Sequence, residues 1–163
     1  MHTPNIQSDY LAPALQYNYV YRFMKQAVSL VKQYDFQAFA FSGMSGALVA
    51  PLLAYRTHKT MIMVRKPKTK DDEGNSSDHS YLRVEGDAAA QRYIIVDDFT
   101  ASGRTLRHIV KEISEFAPEA RCLGCLFYRD SMLYTERMQI EFCSVGTCLQ
   151  QFVVNDLENW RIK

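Results

Sequence analysis

The sequence predicts an α/β fold with a mostly parallel central sheet flanked by helices. Several short segments are apolar on both faces, which is typical of strands covered on two sides. Amphipathic helical segments alternate with them along the chain, and no linker of low complexity interrupts the 163 residues. A chain of this length buries a sizeable core without disulfides. We therefore predict a single domain, residues 1–163.

The composition excludes several other classes of protein. Hydrophobic residues make up 47% of the chain and charged residues 23%, which excludes intrinsic disorder and collagen-like sequence. The net charge of +1 provides no general attraction for nucleic acid or for a membrane surface, so we expect neither as a partner. The first twenty residues contain no apolar core of the signal-peptide type. The sequence thus predicts a cytoplasmic protein with reduced cysteines.

Three segments have the pattern of helices. Apolar residues recur at every fourth position from Ser8 to Asp35, which predicts a long amphipathic helix with Pro13 in its first turn or at its start. Ala47 to Tyr55 is predicted to be helical with Pro51 in the first turn. A third helix is predicted from about Gly103, with an inward face formed by Leu106, Ile109, Val110, Ile113 and Phe116.

The predicted strands lie between and after these helices. They are Phe36–Phe41, Thr60–Val64, a short strand Tyr81–Val84, Tyr93–Val96, Cys122–Tyr128 and Ile140–Val145. Residues 67–80 contain no apolar side chain, and a polar segment of that length in one domain indicates either disorder or a functional lid.

The four cysteines raise the question of a zinc site, because Cys122 and Cys125 are three residues apart and Cys143 and Cys148 follow later. In a regular strand, residues three apart point to opposite faces, so the first pair could not bind one ion. The sequence therefore favours buried, apolar cysteines over structural zinc.

Chemically active side chains follow three of the predicted strands. Ser42–Gly46 follows the first, Arg65 and Lys66 follow the second, and Asp97 and Asp98 follow the third. Ligands of open α/β sheets bind beyond the carboxyl ends of the strands, so these groups are expected to converge on one crevice.

The segment after the third strand fits a phosphate group. The N-terminus of the following helix binds phosphate readily, and Gly103 allows close approach of the backbone. Two carboxylates would repel that phosphate, so Asp97 and Asp98 suit ribose hydroxyls or hydrated magnesium. Three hydroxyl groups complete the phosphate cradle, those of Thr100, Ser102 and Thr105.

Residues 93–105 resemble the phosphoribosyl-pyrophosphate (PRPP) motif of the type I phosphoribosyltransferases. That motif is four apolar residues, two acids, four variable residues and Gly-x-Thr, and every position is satisfied. Neither of the two standard glycine-rich nucleotide motifs is present. The resemblance extends more weakly over residues 36–130. It implies a Rossmann-like core and an enzyme of nucleotide salvage or synthesis, which transfers the 5-phosphoribosyl group of PRPP to a nitrogenous base and releases pyrophosphate.

The resemblance also implies a role for each part of the site. Asp97 and Asp98 would hold the ribose hydroxyls and act as outer-shell partners of Mg²⁺, which is bound mainly through PRPP. Lys70 and His79, in the mobile loop of residues 67–80, would assist catalysis. The 5′-phosphate would be held by Thr100, Ala101, Ser102, Gly103, Arg104 and Thr105. The pyrophosphate would be held by Ser42, Gly43, Met44, Ser45, Gly46, Arg65 and Lys66.

The base and the assembly follow from the same resemblance. Family members that use 6-oxopurines carry an acid where Ala101 stands here, so an adenine-type or orotate-type base is favoured. Residues 1–35 are expected to contribute a small hood over the base, through Tyr17 or Tyr21. A homodimer is also implied.

Two other functions remain open at this point. A protein of the same fold can sense PRPP or a nucleotide without catalysis, as a regulator. Alternatively, Gly43–Ala47 is a near miss to the G-x-S-x-G nucleophile motif, in which case Ser45 would be the nucleophile of a hydrolase.

Overall fold

The computed structural model describes residues 5–8, 11–66, 82–98, 103–128, 150–155 and 159–162. A 3₁₀ turn, Ala12–Leu15, precedes the first α-helix. The helices are α1 (Tyr17–Val31), α2 (Gly43–Thr57) and α3 (Arg104–Phe116). The strands are β1 (Ala38–Ser42), β2 (Thr60–Val64), β3 (Val84–Gly86), β4 (Arg92–Asp97), β5 (Arg121–Phe127), β6 (Gln150–Asn155) and β7 (Asn159–Ile162).

The strands form one seven-stranded sheet in the order β3-β2-β1-β4-β5-β6-β7. Pairing is parallel from β2 through β1, β4 and β5 to β6, and antiparallel only where β3 and β7 join at the two edges. The predicted α/β class with a mostly parallel sheet is confirmed. No helix in the described part of the chain is long and apolar enough to cross a membrane.

Two hydrophobic cores cover the two faces of the sheet. On one face, α1 and α2 pack through Phe23, Val49 and Leu53 against β1, β4 and β5. On the other face, α3 packs through Leu106, Ile109 and Ile113. Alternate residues of each central strand enter opposite cores because successive strand side chains point to opposite faces. The central strands are therefore covered on both sides, as their apolar sequence predicted.

Two helix predictions need correction. The N-terminal helix begins at Tyr17 rather than near Ser8, because the chain around Pro13 forms a separate 3₁₀ turn. Helix α2 begins at Gly43, so Pro51 lies inside it and not in its first turn. The proline is tolerated because it sits on the exposed side of the helix. The segment predicted to be a turn, Ser42–Gly46, is thus the end of β1 and the first turn of α2.

The geometric argument about the cysteines is also wrong. A bulge in β5 shifts the register with β4, so that Tyr93 pairs with Cys122 and Ile94 with Gly124. The extra residue places Cys122 and Cys125 in the same core, beneath α3. Both remain free, buried thiols, and the described residues contain no cluster of His, Cys, Asp or Glu that could hold a metal. Cys143 and Cys148 lie outside the described residues.

The C-terminal part of the sheet was not predicted. The expected strand Ile140–Val145 lies outside the described residues, and β6 and β7 form an antiparallel pair beyond it in the chain. The predicted strand Tyr81–Val84 is shifted, because β3 begins only at Val84. Strands β3 and β7 have only three and four residues, which is too short for a pattern of apolar residues to locate them from sequence. Strand β6 has six residues, but its apolar run is only Phe152–Val154.

Candidate active site

The carboxyl ends of β1 and β4 carry three buried polar side chains. Ser42, Asp97 and Asp98 are each no more than 6% exposed. The Oγ of Ser42 and the Oδ2 of Asp98 have no hydrogen-bond partner among the described residues. A buried polar atom without a partner costs about 1–3 kcal/mol, so such atoms are uncommon in a folded protein. Two of them at neighbouring strand ends indicate a site that is completed by a ligand.

Helix α2 is tied to this pair of acids by one short hydrogen bond. The hydroxyl of Ser45 donates to Oδ1 of Asp97 over 2.6 Å, and the backbone N–H of Asp98 donates to the same oxygen over 3.0 Å. Two donors fix the orientation of the Asp97 carboxylate. The structure therefore brings together the first turn of α2 and the acidic pair, which are 52 residues apart in sequence.

The electrostatics of Asp97 reflect its burial. Desolvation raises the pKa of its carboxyl from the ordinary 3.8 to about 7, the hydrogen bond from Ser45 acts in the opposite direction, and the neighbouring Asp98 raises the pKa further. A carboxyl group with so perturbed a pKa in a cleft is a sign of a functional site.

A cation lies against the N-terminus of α2. Gly43 has a left-handed φ of 72°, and a Cβ placed there would be 2.6 Å from Cε and 3.1 Å from Nζ of Lys66. No side chain caps this helix end. The free N–H groups of the first turn, the positive end of the helix dipole and the Lys66 ammonium together form a site suited to an anion.

The other basic residue at this edge is engaged differently. Arg65 donates from Nε and a terminal nitrogen to Oε1 of Glu85, at 3.0 and 2.6 Å. Its backbone carbonyl oxygen accepts a hydrogen bond from Nε2 of His108 over 2.9 Å. This hydrogen bond joins the end of β2 to α3. An anion that used Arg65 would compete with Glu85 for it.

The N-terminus of α3 contributes the last described element. Gly103 adopts a left-handed φ of 69° directly before the helix, and Arg104 and Thr105 lie exposed in the first turn. Thr100, Ala101 and Ser102 lie outside the described residues, as do Lys70 and His79. Met44 is 58% exposed at the start of α2.

Comparison with known proteins identifies this arrangement. The family model "Phosphoribosyl transferase domain" matches residues 43–155, more than half of the chain. The chain belongs to the phosphoribosyltransferase family. The enzymatic function predicted from residues 93–105, transfer of a phosphoribosyl group from PRPP to a base, is confirmed at this level, and the base is not settled by it.

Individual relatives of this phosphoribosyltransferase are distant. An adenine phosphoribosyltransferase of Mycoplasma capricolum is 24% identical over 142 residues, which cover 81% of this chain and 82% of the relative. An adenine phosphoribosyltransferase structure from Thermoanaerobacter pseudethanolicus has a TM-score of 0.60 at 18% identity and covers 90% of this chain and 87% of its own. An orotate phosphoribosyltransferase of Mycobacterium tuberculosis, in complex with PRPP, has a TM-score of 0.62 at 14% identity, with coverages of 88% and 77%. These structures share the fold.

The geometry of the described residues does not support the hydrolase alternative. A serine nucleophile needs a base within hydrogen-bonding distance, usually an imidazole. The Ser45 hydroxyl of this phosphoribosyltransferase donates to a carboxylate, and the imidazole of His108 is engaged with Arg65.

Two residues at the site were missed by sequence analysis. Tyr128 directly follows β5, and its hydroxyl donates to the carbonyl oxygen of Ser45 over 3.0 Å. Tyr19 of α1 donates in turn to the carbonyl oxygen of Tyr128 over 2.8 Å. The signal that could have found Tyr128 is its place at the carboxyl end of a fourth parallel strand. The periodicity of the first helix placed Tyr19 on its apolar face together with Phe23, but gave no sign of its hydrogen bond to Tyr128. Tyr17 and Tyr21 lie exposed and stacked on each other.

Proposed function

We propose that this phosphoribosyltransferase binds Mg²⁺–PRPP across the carboxyl ends of β1, β2 and β4. On this proposal it transfers the phosphoribosyl group to a base of the adenine or orotate type. The observation that carries the proposal is the pair of unpartnered buried atoms, Oγ of Ser42 and Oδ2 of Asp98, beside the fixed carboxylate of Asp97. These groups need hydrogen-bond partners, and a sugar with adjacent hydroxyls and a pyrophosphate provides them.

The ribose hydroxyls are assigned to the acidic pair. Ionised carboxylates accept hydrogen bonds only, so they suit the 2′- and 3′-hydroxyls and repel the phosphates. Oδ2 of Asp98 is the acceptor with no competing partner among the described residues. Residues 100–105, at the start of α3, are assigned to the 5′-phosphate because a helix N-terminus there offers N–H donors.

The pyrophosphate is assigned to the first turn of α2, Ser42–Gly46, together with Lys66. Removal of this ammonium, in Lys66→Met, is expected to weaken PRPP binding about tenfold, because a hydrogen bond to a charged group contributes about 1.5–3 kcal/mol and exposure reduces that. Lys59→Met is the matched control, since Lys59 precedes β2 and lies over the ring of Phe36. Titration calorimetry at low and high salt measures both variants. Equal affinities for Lys66→Met and wild type would remove Lys66 from the site.

The residues present also fit magnesium. Carboxylate oxygens are hard ligands of the kind Mg²⁺ prefers, and Oδ2 of Asp98 has a free acceptor position for a metal-bound water. Asp97 and Asp98 would act as outer-shell partners, with the ion held mainly through PRPP. The bound ion would neutralise charge on the pyrophosphate as it leaves. PRPP binding is accordingly expected to require Mg²⁺ and to be lost with a chelator.

The reaction would be a displacement at the anomeric carbon. A ring nitrogen of the base forms the new bond and gives up its N–H proton to a residue of the loop, for which Lys70 and His79 are the candidates. The bond to the pyrophosphate oxygen breaks, and its electron pair leaves with pyrophosphate. Positive charge develops on the ribose ring, as in glycoside transfer. The preorganised N–H groups of α2 and the Lys66 ammonium stabilise the charge that accumulates on the leaving group. Residues 67–80, with Lys70 and His79, are proposed to close over the reacting atoms and exclude water.

The choice of base rests on Ala101, where 6-oxopurine enzymes carry an acid, and is supported by the adenine phosphoribosyltransferase among the relatives. A pyrophosphate-release assay with adenine, orotate, hypoxanthine and guanine tests it, with a reaction lacking base as control. Release with adenine or orotate alone supports the proposal. Release only with hypoxanthine or guanine contradicts the assignment of base, and binding of PRPP without any release would favour the sensing role instead.

The elevated pKa of Asp97 predicts opposite pH dependences for binding and stability. Ribose hydroxyls need the ionised carboxylate, so PRPP affinity is expected to rise as pH increases through about 7. The folded protein holds the proton of the Asp97 carboxyl more tightly than the unfolded chain does. The contribution of this proton to the free energy of unfolding is therefore complete below about pH 4, and it is lost as pH rises to about 7.

Asp97→Asn provides the control for both measurements, because PRPP itself titrates in this range. Calorimetry and thermal unfolding between pH 5.5 and 8.5 measure how PRPP affinity and stability change with pH. In the variant, the part of each change that is caused by Asp97 should be absent. Profiles identical to those of wild type would contradict the assignment of the pKa to this residue.

The proposal also includes the cover over the base, the oligomeric state and the cellular location. The N-terminal end of α1 is held at the site by the bond from Tyr19 to Tyr128, which supports residues 1–35 as a cover for the base. Tyr17→Ala and Tyr21→Ala test this through base affinity. A homodimer is proposed from the family resemblance, and the cytoplasmic location predicted under Sequence analysis is proposed as well.

A further inference from the structure

Tyr128 closes a ring of hydrogen bonds around the acidic pair. Its backbone N–H donates to the carbonyl oxygen of Asp97 over 3.3 Å, and its hydroxyl donates to the carbonyl oxygen of Ser45 over 3.0 Å. The hydroxyl of Ser45 then donates to Oδ1 of Asp97 over 2.6 Å. One residue therefore connects the end of β4, the end of β5 and the first turn of α2, through its backbone N–H and its side-chain hydroxyl.

The position of this hydroxyl is fixed by packing. Tyr128 is 1% exposed, and its ring lies edge-on to that of Phe23 in α1 at 5.8 Å between centroids. A buried tyrosine hydroxyl needs a partner, and here the partner is the carbonyl group of the residue that orients Asp97. The bond from Tyr19 to the carbonyl oxygen of Tyr128 extends the connection to α1. Since these groups are held on four different elements, displacement of one changes the geometry of the others.

We propose that Tyr128 is a positioning residue for the ribose-binding carboxylate of Asp97, acting through the first turn of α2 and the hydroxyl of Ser45. This inference rests on the proposed function, because Asp97 must bind the ribose for its orientation to affect affinity. Tyr128 does not itself contact PRPP in this proposal. Its effect falls mainly on the ribose part of the ligand, through Asp97, because the pyrophosphate is held by Lys66 and by several backbone N–H groups of the same turn and not by the Ser45 hydroxyl.

The test compares PRPP with pyrophosphate, each with Mg²⁺, by titration calorimetry. Tyr128→Phe keeps the ring and loses only the hydroxyl, and it is expected to weaken PRPP binding about fivefold to tenfold, which corresponds to one neutral hydrogen bond. Pyrophosphate affinity should fall clearly less than PRPP affinity, because pyrophosphate contacts the same turn only through backbone N–H groups and does not use Asp97. Tyr55→Phe is the matched control, since Tyr55 lies 80% exposed on α2.

A double-mutant cycle tests the route of the effect. If Tyr128 acts through Asp97, Tyr128→Phe should cause no further loss of PRPP affinity in an Asp97→Asn background. Ser45→Ala removes the hydroxyl that orients Asp97 and keeps the backbone N–H assigned to the pyrophosphate, so it should also weaken PRPP binding more than pyrophosphate binding. Ser45→Thr, which keeps a hydroxyl, should restore PRPP affinity. If Tyr128→Phe does not fold, Ser45→Ala and Ser45→Thr still test the inference.

Several results would overturn the inference. Equal losses for PRPP and pyrophosphate would indicate general disruption of the site, and a loss that persists fully with Asp97→Asn would show that Tyr128 acts elsewhere. Wild-type affinity in both Tyr128→Phe and Ser45→Ala would show that the ring of hydrogen bonds is not needed. Failure of wild type to bind PRPP is a different outcome, because it would refute the proposed function and the inference with it.

Discussion

Asp97→Asn/Asp98→Asn is expected to lower PRPP affinity by about 100-fold to 10⁴-fold. Each carboxylate would lose a charge-assisted hydrogen bond to a ribose hydroxyl, and such a bond contributes about 1.5–3 kcal/mol. Oδ2 of Asp98 has no hydrogen-bond partner among the described residues, so it is the acceptor that most needs a hydrogen bond from the ligand. Titration calorimetry with Mg²⁺–PRPP measures the loss.

The same substitutions should not destabilise the protein at pH 8. Burial disfavours the ionised carboxyl of Asp97, as its raised pKa shows, so a neutral amide removes an unfavourable charge. Asp35→Asn is the matched control, because Asp35 pairs with Arg92 at the opposite end of β4. Retained PRPP binding in a folded double variant would refute the assignment of the ribose to this pair. A large fall in thermal stability would instead show that the carboxylates have a structural role.

Gly46→Ala is expected to damage both stability and binding. A Cβ at this position would lie 2.4 Å from Cβ of Phe41 and 2.8 Å from the carbonyl oxygen of Val96. Neither neighbour can move freely, because Phe41 and Val96 belong to the central strands β1 and β4. Relief therefore requires α2 to move away from the sheet. Overpacking of this kind costs about 1–3 kcal/mol, which lowers the unfolding temperature by roughly 2–12 °C in a chain of this size.

Movement of α2 would also separate Ser45 from Asp97, so PRPP affinity should fall together with stability. Pro51→Ala is the matched control on the same helix. It too introduces alanine, but at an exposed interior position where a helical N–H is regained, so stability should be unchanged or higher. Thermal unfolding and calorimetry of both variants provide the comparison. A Gly46→Ala variant as stable and as tightly binding as wild type would show that the close approach of α2 to the sheet is not required.

The sequence alone predicted the class of fold and the edge of the sheet that carries the site. Strands β1, β2, β4 and β5 were found from apolar runs, because strand burial imposes a local pattern that can be read without coordinates. The acids at 97 and 98 and the basic residues at 65 and 66 follow strand ends directly. Their meeting at one edge needed only the rule that parallel strands end together.

Predictions of local structure were wrong where contacts with neighbouring elements override the local sequence pattern. Pro51 was placed in the first turn of a helix because proline is favoured there, whereas the contact of Gly46 with β1 and β4 fixes the start of α2 four residues earlier than expected. The bulge in β5 inserts one residue and turns Cys122 and Cys125 to the same face. A bulge depends on the partner strand, and so the spacing of the two cysteines did not reveal it.

The same distinction between sequence and tertiary structure applies to the chemistry of the site. The identity of the acidic and basic groups, and their order along the chain, were determined by the sequence. Only the tertiary structure decided that Ser45 orients Asp97, that Arg65 pairs with Glu85, and that the Tyr128 hydroxyl donates to the carbonyl oxygen of Ser45. Each of these contacts connects residues far apart in sequence. The first and third depend on how the helices pack on the sheet, and the second depends on the pairing of β2 with β3.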